Sequence, residues 1–493
     1  MAKFTLVMAL TLMNCCFGGV MANCTITAYG ESGDVLIKGT VLTEKGPLSD
    51  GYVFVQGNKI THVGSDSDRG IHIEDATIIK CDRSVISPGF INVHEHIKYA
   101  TVSPLPNSGI IYSHRHEWRA GVNGHKMVLV EVNGTDEAAA KWGELRHIFS
   151  ATTSIVGEDM APGLARNLDH VLGLEEGLTA PSNTYAIFPL DDANGVVRSG
   201  DCDYGPNAID QTTAGRYYRY IAHIGEGLGP EAQNEFRCLS DKNFDIDQMP
   251  DGGGKSTDII SANIGLVHAL GLSQADFDFV AQRNAKVVWS PRSNIFLYGK
   301  TLNITYLLDA GITVALGTDW VPSGSATMAR EAVCALEVTK FSYRQNIESK
   351  TLWEMMTINA AKVAGFENAL GSLEEGKLAD IAVFGGRQTG DPYAQAIYAP
   401  QEDIQLVMRG GKVLVATSGF EPLASGPCET VWFGSVSKMV CVQAELNSTF
   451  AAFEASLGGV YQAVLPGIPP GEPTCDPIRE NVLIAQSNIG GFA

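Results

Sequence analysis

Ser87-Pro88-Gly89-Phe90-Ile91-Asn92-Val93-His94-Glu95-His96 leaves a Pro-Gly turn, runs through apolar residues and ends on two histidines at i and i+2. Side chains of a strand alternate faces, so His94 and His96 point one way and Glu95 the other. Two neighbouring imidazoles offer neutral nitrogen donors of the kind that hold Zn2+ or Fe2+. Two histidines alone would equally be the polar end of a strand, and the rest of the chain decides between these readings.

Over residues 88–364 short apolar runs alternate with helix-like stretches, the pattern of repeated βα units. Strands are expected near 90–96, 152–156, 185–190, 220–223, 265–268, 286–290 and 312–319. That set is one short of a (β/α)8 barrel, which suits a span of this length. Upstream, residues 25–85 alternate apolar and polar around a Gly57-Asn58 turn and read as hairpins. Residues 371–384 and 406–415 return to strands and glycine turns. The expected fold is therefore α/β: a distorted TIM barrel over 87–364, with an accessory β-sandwich formed by both chain ends, 23–86 and 365–420. Residues 421–493 are a loop-like, Cys-containing tail without an assigned role.

Further strand ends carry the same chemistry. Residues 220–227 end an apolar run with His223 and set Glu226 in a turn flanked by Gly225 and Gly227; 265–268 end on His268; 312–319 end on Gly317-Thr318-Asp319. Singly each is ordinary, since a strand-end His is commonly a satisfied core residue and a strand-end Asp a helix cap. At successive carboxyl ends of barrel strands, where enzymes of this fold carry their sites, they form one constellation.

Taken with residues 371–384, these motifs resemble the amidohydrolase superfamily over about residues 30–415, in its mononuclear branch of cytosine, guanine and adenosine-type deaminases and triazine hydrolases. The resemblance implies one divalent metal, zinc or else iron, on His94, His96, His223 and Asp319. It implies catalytic roles for Asp319 as the base that deprotonates the attacking water, for His268 in orienting it, and for Glu226 as the acid that C–N cleavage needs. The two-metal branch uses a carboxylated lysine at its fourth strand, and no lysine occurs between Lys141 and Lys242, so a single metal is expected. A bridging glutamate stays open. The implied activity is hydrolysis of a non-peptide C–N bond in a cyclic amidine or small amide. The contrasting reading is a catalytically silent barrel used for binding or structure, because fold alone does not imply activity.

Substrate contacts are sought among residues that follow the strands. Trp289 and Trp320 would wall a flat heterocycle. Arg115, Trp118 and Arg119 in the first loop, Arg166 after the second expected strand, and Arg292 with Asn294 after the sixth would face the mouth. Guanidinium groups gathered there would hold an anionic substrate, with packing and structural salt bridges as the competing reading. His114 and His116 have ligand spacing, but their segment is charged and not strand-like, and no second metal is expected there.

The whole-chain balance narrows the partners. Among 493 residues, 35 Lys+Arg against 55 Asp+Glu give a formal charge of −20, which argues against nucleic acid and anionic membranes and leaves a small molecule. An assembly of identical chains stays open. Residues 1–22 carry Lys3, an apolar run and small residues ending Val20-Met21-Ala22, which reads as a secretory signal cut before Asn23; Asn14 and Gly18-Gly19 interrupt it as a membrane anchor. A secreted glycoprotein is expected, with acceptors at Asn133, Asn303 and Asn447. Cys24, Cys81, Cys202, Cys238, Cys334, Cys428, Cys441 and Cys475 remain for disulfide bonds of open connectivity, although Cys334, in a helix-like run, reads equally as a buried thiol.

Overall fold

The computed structural model describes residues 23–65, 73–132, 134–159, 161–169, 177–178, 183–247, 250, 254–386 and 390–477; the expected signal and the acceptor Asn133 lie outside them. Among the described residues, eight strands run parallel in two sheets. Phe90–Asn92, Thr152–Ile155 and Arg166–Asn167 form the first; Asn183–Ala186, Arg219–Ile224, Ile264–His268, Lys286–Trp289 and Val314–Leu316 form the second, each beside its neighbour in the chain. Thr152–Ile155, Ile264–His268 and Val314–Leu316 are buried at every residue, as strands covered on both faces must be. The strand that periodicity did not reveal is Arg166–Asn167, whose two residues are both polar.

The sheets are laced at two seams. Asn183 Nδ2 donates to Leu168 O at 3.1 Å across one. Across the other, Asp319 N–H donates to His94 O at 2.8 Å and Thr318 N–H to Asn92 Oδ1 at 3.1 Å. The chain leaving the last parallel strand thus lies against the chain leaving the first. Gly317 permits that approach, because a Cβ there would come within 2.4 Å of the His94 Cβ.

Both chain ends enter one ten-stranded sheet. Its shared element is the strand Thr77–Pro88, which pairs antiparallel with Asn23–Ala28, parallel with Val35–Val41 and, by residues 85–88, antiparallel with Ile381–Phe384. On one face of this sheet Val53, Ile79, Ile381 and Leu406 share a buried cluster. From the other, Leu42, Val85, Phe384 and Leu414 join the core around the parallel strands. The tail is less loop-like than its composition suggests: Glu429–Phe433 and Val436–Val440 extend the same sheet beyond Lys412–Thr417. These short strands lack clean alternation, and Trp432 is 63% exposed.

Four disulfides join Cys24 to Cys81, Cys202 to Cys238, Cys334 to Cys475 and Cys428 to Cys441. The reading of Cys334 as a plain thiol is thereby corrected; its partner lies 141 residues away, beyond any local signal. Among the described residues, no helix is long and apolar enough to cross a membrane.

Candidate active site

Past Asn92 the chain keeps an extended course beside the second strand, with Val156 N–H donating to Asn92 O at 2.8 Å and Glu95 N–H to Val156 O at 3.0 Å. His94 and His96 therefore still share a side, although the strand itself ends at Asn92. His94 Nε2 is 3.2 Å from His223 Nε2 and 3.4 Å from Asp319 Oδ1, which is also 3.4 Å from His96 Nε2. Nitrogens of His94, His223 and His268 lie within 4.8 Å of one another, as do donor atoms of His94, His96 and Asp319.

Each ring is fixed from outside. His94 Nδ1 is 2.7 Å from Ser290 Oγ, His268 Nδ1 2.9 Å from Asn294 Oδ1 and His96 Nδ1 3.4 Å from Glu158 Oε2, while His223 Nδ1 donates to Ala186 O at 3.3 Å. Engaging the outer nitrogen turns Nε2 inward, and the acceptor oxygens at His96, His223 and His268 make Nδ1 the donor in those three rings. Burial, reinforced by His268, His223 and His96, holds His94 well below the usual imidazole range, and burial with His96 and His268 does the same for His223. Burial also pulls His96 down, but its bond to Glu158 and the carboxylate of Asp319 outweigh that and leave it raised. Asp319 is raised because burial outweighs His268 and His96. Nitrogens of three imidazoles gathered about one carboxylate oxygen, with their outer nitrogens engaged, are a zinc donor set. The residues fit a divalent ion.

Two of these side chains sit on bent backbone. His268 and Asp319 have φ of +65° and +59°, a left-handed conformation that costs a non-glycine residue on the order of 1–3 kcal/mol and concentrates at functional sites. Asp319 is then pinned by Ser293 Oγ–H, donating to Oδ2 at 2.6 Å, and by Trp320 N–H, donating to Oδ1 at 2.8 Å. Glu226 Oε1 accepts from Tyr298 O–H at 2.6 Å, and its Oε2 is 3.7 Å from His268 Nε2. Burial pushes Glu226 up, yet His268, Arg115 and the Tyr298 hydroxyl outweigh it, so this carboxyl is held below the usual range and is ionised at rest.

A cavity of about 220 Å3 opens on this centre, lined by His96, His223, Glu226, His268 and Asp319 together with Arg115, Trp118, Arg119 and Trp320. The Trp118 and Trp320 rings stack at 5.3 Å, and Tyr99 meets Trp320 edge-on at 5.1 Å. Arg115 is neutralised where it stands: it is 1% exposed, donates to Asp192 Oδ2 at 2.5 Å and lies 3.5 Å from Glu235. Arg119 stacks on Phe188 and donates to His116 Nδ1.

Other expected contacts lie elsewhere. Arg166 forms a bidentate pair with Asp380 at 2.7 and 2.9 Å, joining the parallel strands to the sheet of the chain ends. Arg292 is buried behind the site and donates to Ser325 Oγ, Pro473 O and Arg330 O. Trp289 is wholly buried and donates to Thr301 Oγ1. These three do not line the cavity, because strand-end residues whose side chains turn outward enter the packing between helices and sheets. Asn294 acts on His268 and not on the cavity wall. His114 and His116 pair with Glu235 and Asp192 at 3.1 and 2.8 Å. Sequence reasoning missed Ser290, Ser293, Glu158 and Tyr298; the polar cluster at 290–294 could have flagged the serines, whereas Tyr298 reaches Glu226 across 72 residues with no local signal.

The family model described as amidohydrolase family matches residues 241–414. The chain carries an amidohydrolase family domain. The 5-methylthioadenosine/S-adenosylhomocysteine deaminase of Halothermothrix orenii is 23% identical over 405 residues, 75% of this chain and 90% of that one. The imidazolonepropionase of Geobacillus kaustophilus is 22% identical over 439 residues, covering 79% and 96%. Among solved structures, the zinc complex of atrazine chlorohydrolase from Arthrobacter aurescens matches with a TM-score of 0.57 at 20% identity, covering 78% of this chain and 95% of that one. The amidohydrolase domain is consistent with the amidohydrolase superfamily, and the structural likeness concerns the fold.

Proposed function

We propose that this amidohydrolase domain is a metal-dependent hydrolase of non-peptide C–N bonds that releases ammonia from a flat cyclic amidine. In this reading the eight parallel strands close as a distorted (β/α)8 barrel, the sheet of the chain ends folds as its accessory β-sandwich, and His94, His96, His223 and Asp319 hold one divalent ion, zinc before iron. The observation that carries it is the meeting of Glu226, His268 and Asp319 around one aromatic-walled cavity, with His268 Nε2 3.7 Å from Glu226 Oε2 and 3.8 Å from Asp319 Oδ2.

When bound, the ion supplies a water acidified to near neutrality. Asp319, immobilised by Ser293 and Trp320, would accept a proton from the attacking water. His268, its outer nitrogen held by Asn294, directs Nε2 at the attacked carbon's substituent. Glu226 has one oxygen committed to Tyr298, leaving Oε2 to exchange a proton; being ionised at rest, it takes a proton before passing one to a ring nitrogen or the leaving amine. Stacked Trp118 and Trp320 suit a planar ring. Arg115 is neutralised and Arg166 and Arg292 lie outside the cavity, which favours a neutral amidine over an anionic amide. The names of the relatives, deaminases of adenosine derivatives and a chlorohydrolase of a triazine, support a heterocycle. Secretion and N-glycosylation belong to the proposal; Asn303 and Asn447 are exposed, and disulfides suit an oxidising compartment.

The test is a panel of N-heterocyclic amidines and N-acyl acids, with zinc-loaded protein scored for ammonia against amine. Ammonia from a heterocycle, abolished by a chelator, is expected. Stoichiometric zinc with no product from any member would favour the silent barrel.

A further inference from the structure

Glu95 points away from the cavity, and the proposed reaction does not use it. It is 2% exposed, yet both oxygens are engaged. Oε1 accepts from His96 N–H at 3.2 Å. Oε2 accepts from Thr318 Oγ1–H at 2.7 Å and Asn92 Nδ2 at 3.2 Å, and lies 3.0 Å from His147 Nε2. Thr318 is bound a second time, since its Oγ1 accepts from Asn92 Nδ2 at 2.6 Å. These bonds cross the seam between the first and last parallel strands, 226 residues apart in the chain, immediately beneath His94, His96 and Asp319.

An ionised carboxylate is acceptor-only at both oxygens, so it satisfies this ring of donors; an amide would turn one N–H toward another. A buried carboxylate survives only where such bonds replace water. His147 comes from the last turn of the helix Asp136–Phe149, is 3% exposed, and its Nδ1 has no hydrogen-bond partner among the described residues. An orphaned polar atom at a site that leucine could fill calls for an explanation, and its other nitrogen supplies one.

We propose that Glu95 and His147 are positioning residues of the metal centre: the carboxylate ties the chain carrying His94 and His96 to the chain carrying Asp319, and the imidazole holds the carboxylate in place. This rests on the reading of those three residues as metal ligands. Neither Glu95 nor His147 touches substrate.

The full-length protein and its Glu95→Gln, His147→Leu and His147→Gln variants are compared for zinc affinity by chelator competition, for the visible spectrum of the cobalt(II) form, and for apo-protein melting. Glu95→Gln and His147→Leu are expected to weaken zinc binding roughly 10–100-fold, the size of effect typical for groups that orient ligands, and to shift the cobalt bands. His147→Gln, which keeps a donor near the Nε2 position, is expected to stay within about threefold of the parent on the same scale. Lower melting with unchanged zinc affinity and cobalt spectrum would make the pair merely structural and overturn the proposal, as would a His147→Gln variant no better than His147→Leu. Should Glu95→Gln fail to fold, the His147 variants decide. A parent protein that takes up no zinc overturns both this inference and the proposed function; one that binds zinc without releasing ammonia overturns only the latter.

Discussion

Glu226 is where the proposed chemistry is most exposed to a single atom. Glu226→Gln should retain zinc while kcat falls roughly 10²–10⁴-fold, the usual worth of a positioned proton-transfer group; unchanged turnover, measured by ammonia release, would remove it from the mechanism. Arg292 makes the opposite case. Its bonds to Ser325, Pro473 and Arg330, with Glu472 at 3.3 Å, make it an anchor behind the site. Arg292→Met should cost on the order of 3 kcal/mol in denaturant unfolding, the scale for breaking a buried ion pair, and should not discriminate anionic from neutral substrates in KM. The contrast explains what was legible. His223, His268 and Asp319 stand out because each ends an apolar run, whereas Arg292 and Arg166 end similar runs with side chains turned to the other side. Facing cannot be read from a single residue after a strand has ended.

One short element does most of the positioning. The helix Pro291–Tyr298 carries Ser293 to Asp319, Asn294 to His268 and Tyr298 to Glu226, while Arg292 fastens its first turn to the tail at Pro473. The tail is held in turn by the Cys334–Cys475 bond and by Arg330, which makes a bidentate pair with Glu472. Replacing both Cys334 and Cys475 by alanine should lower stability by about 5 kcal/mol for a loop of this length, read by denaturant unfolding, with kcat falling more than KM. A second element-scale test concerns the helix Asp136–Phe149. There burial pushes Glu144 up to about 8, although Ala161 and Ala165 N–H and Asn167 Nδ2 donate to it. The folded chain then binds this proton more tightly than the unfolded one. Its contribution is complete below the ordinary glutamate value and fades as pH rises through about 8. Melting temperature should carry that decline in the parent and lose it in Glu144→Gln, whose melting should be lower but flatter across the window. At this scale the sequence was most legible where strands are long and apolar; Arg166–Asn167 escaped because two polar residues show no period, and the extension at 429–440 because Trp432 puts a large apolar side chain on the exposed face and blurs the alternation.

For the molecule as a whole, the ion should act as a ligand of the native state alone. Zinc at a hundredfold excess over its Kd should add about 2.7 kcal/mol, and a chelator should remove it, visible as a reversible shift in melting. The α/β class and the return of both ends to β structure were readable because composition changes at residues 88 and 371. The meeting of the two ends in one β unit was expected, but its register was not, since nothing local records that residues 85–88 pair with 381–384. That pairing has a consequence during synthesis. The strand Thr77–Pro88 emerges from the ribosome almost 300 residues before Ile381–Phe384, so at about 5–20 residues per second its unpaired edge stays open for tens of seconds. A nascent chain of this kind needs a chaperone, or a translocation channel, to keep that edge from recruiting a foreign strand.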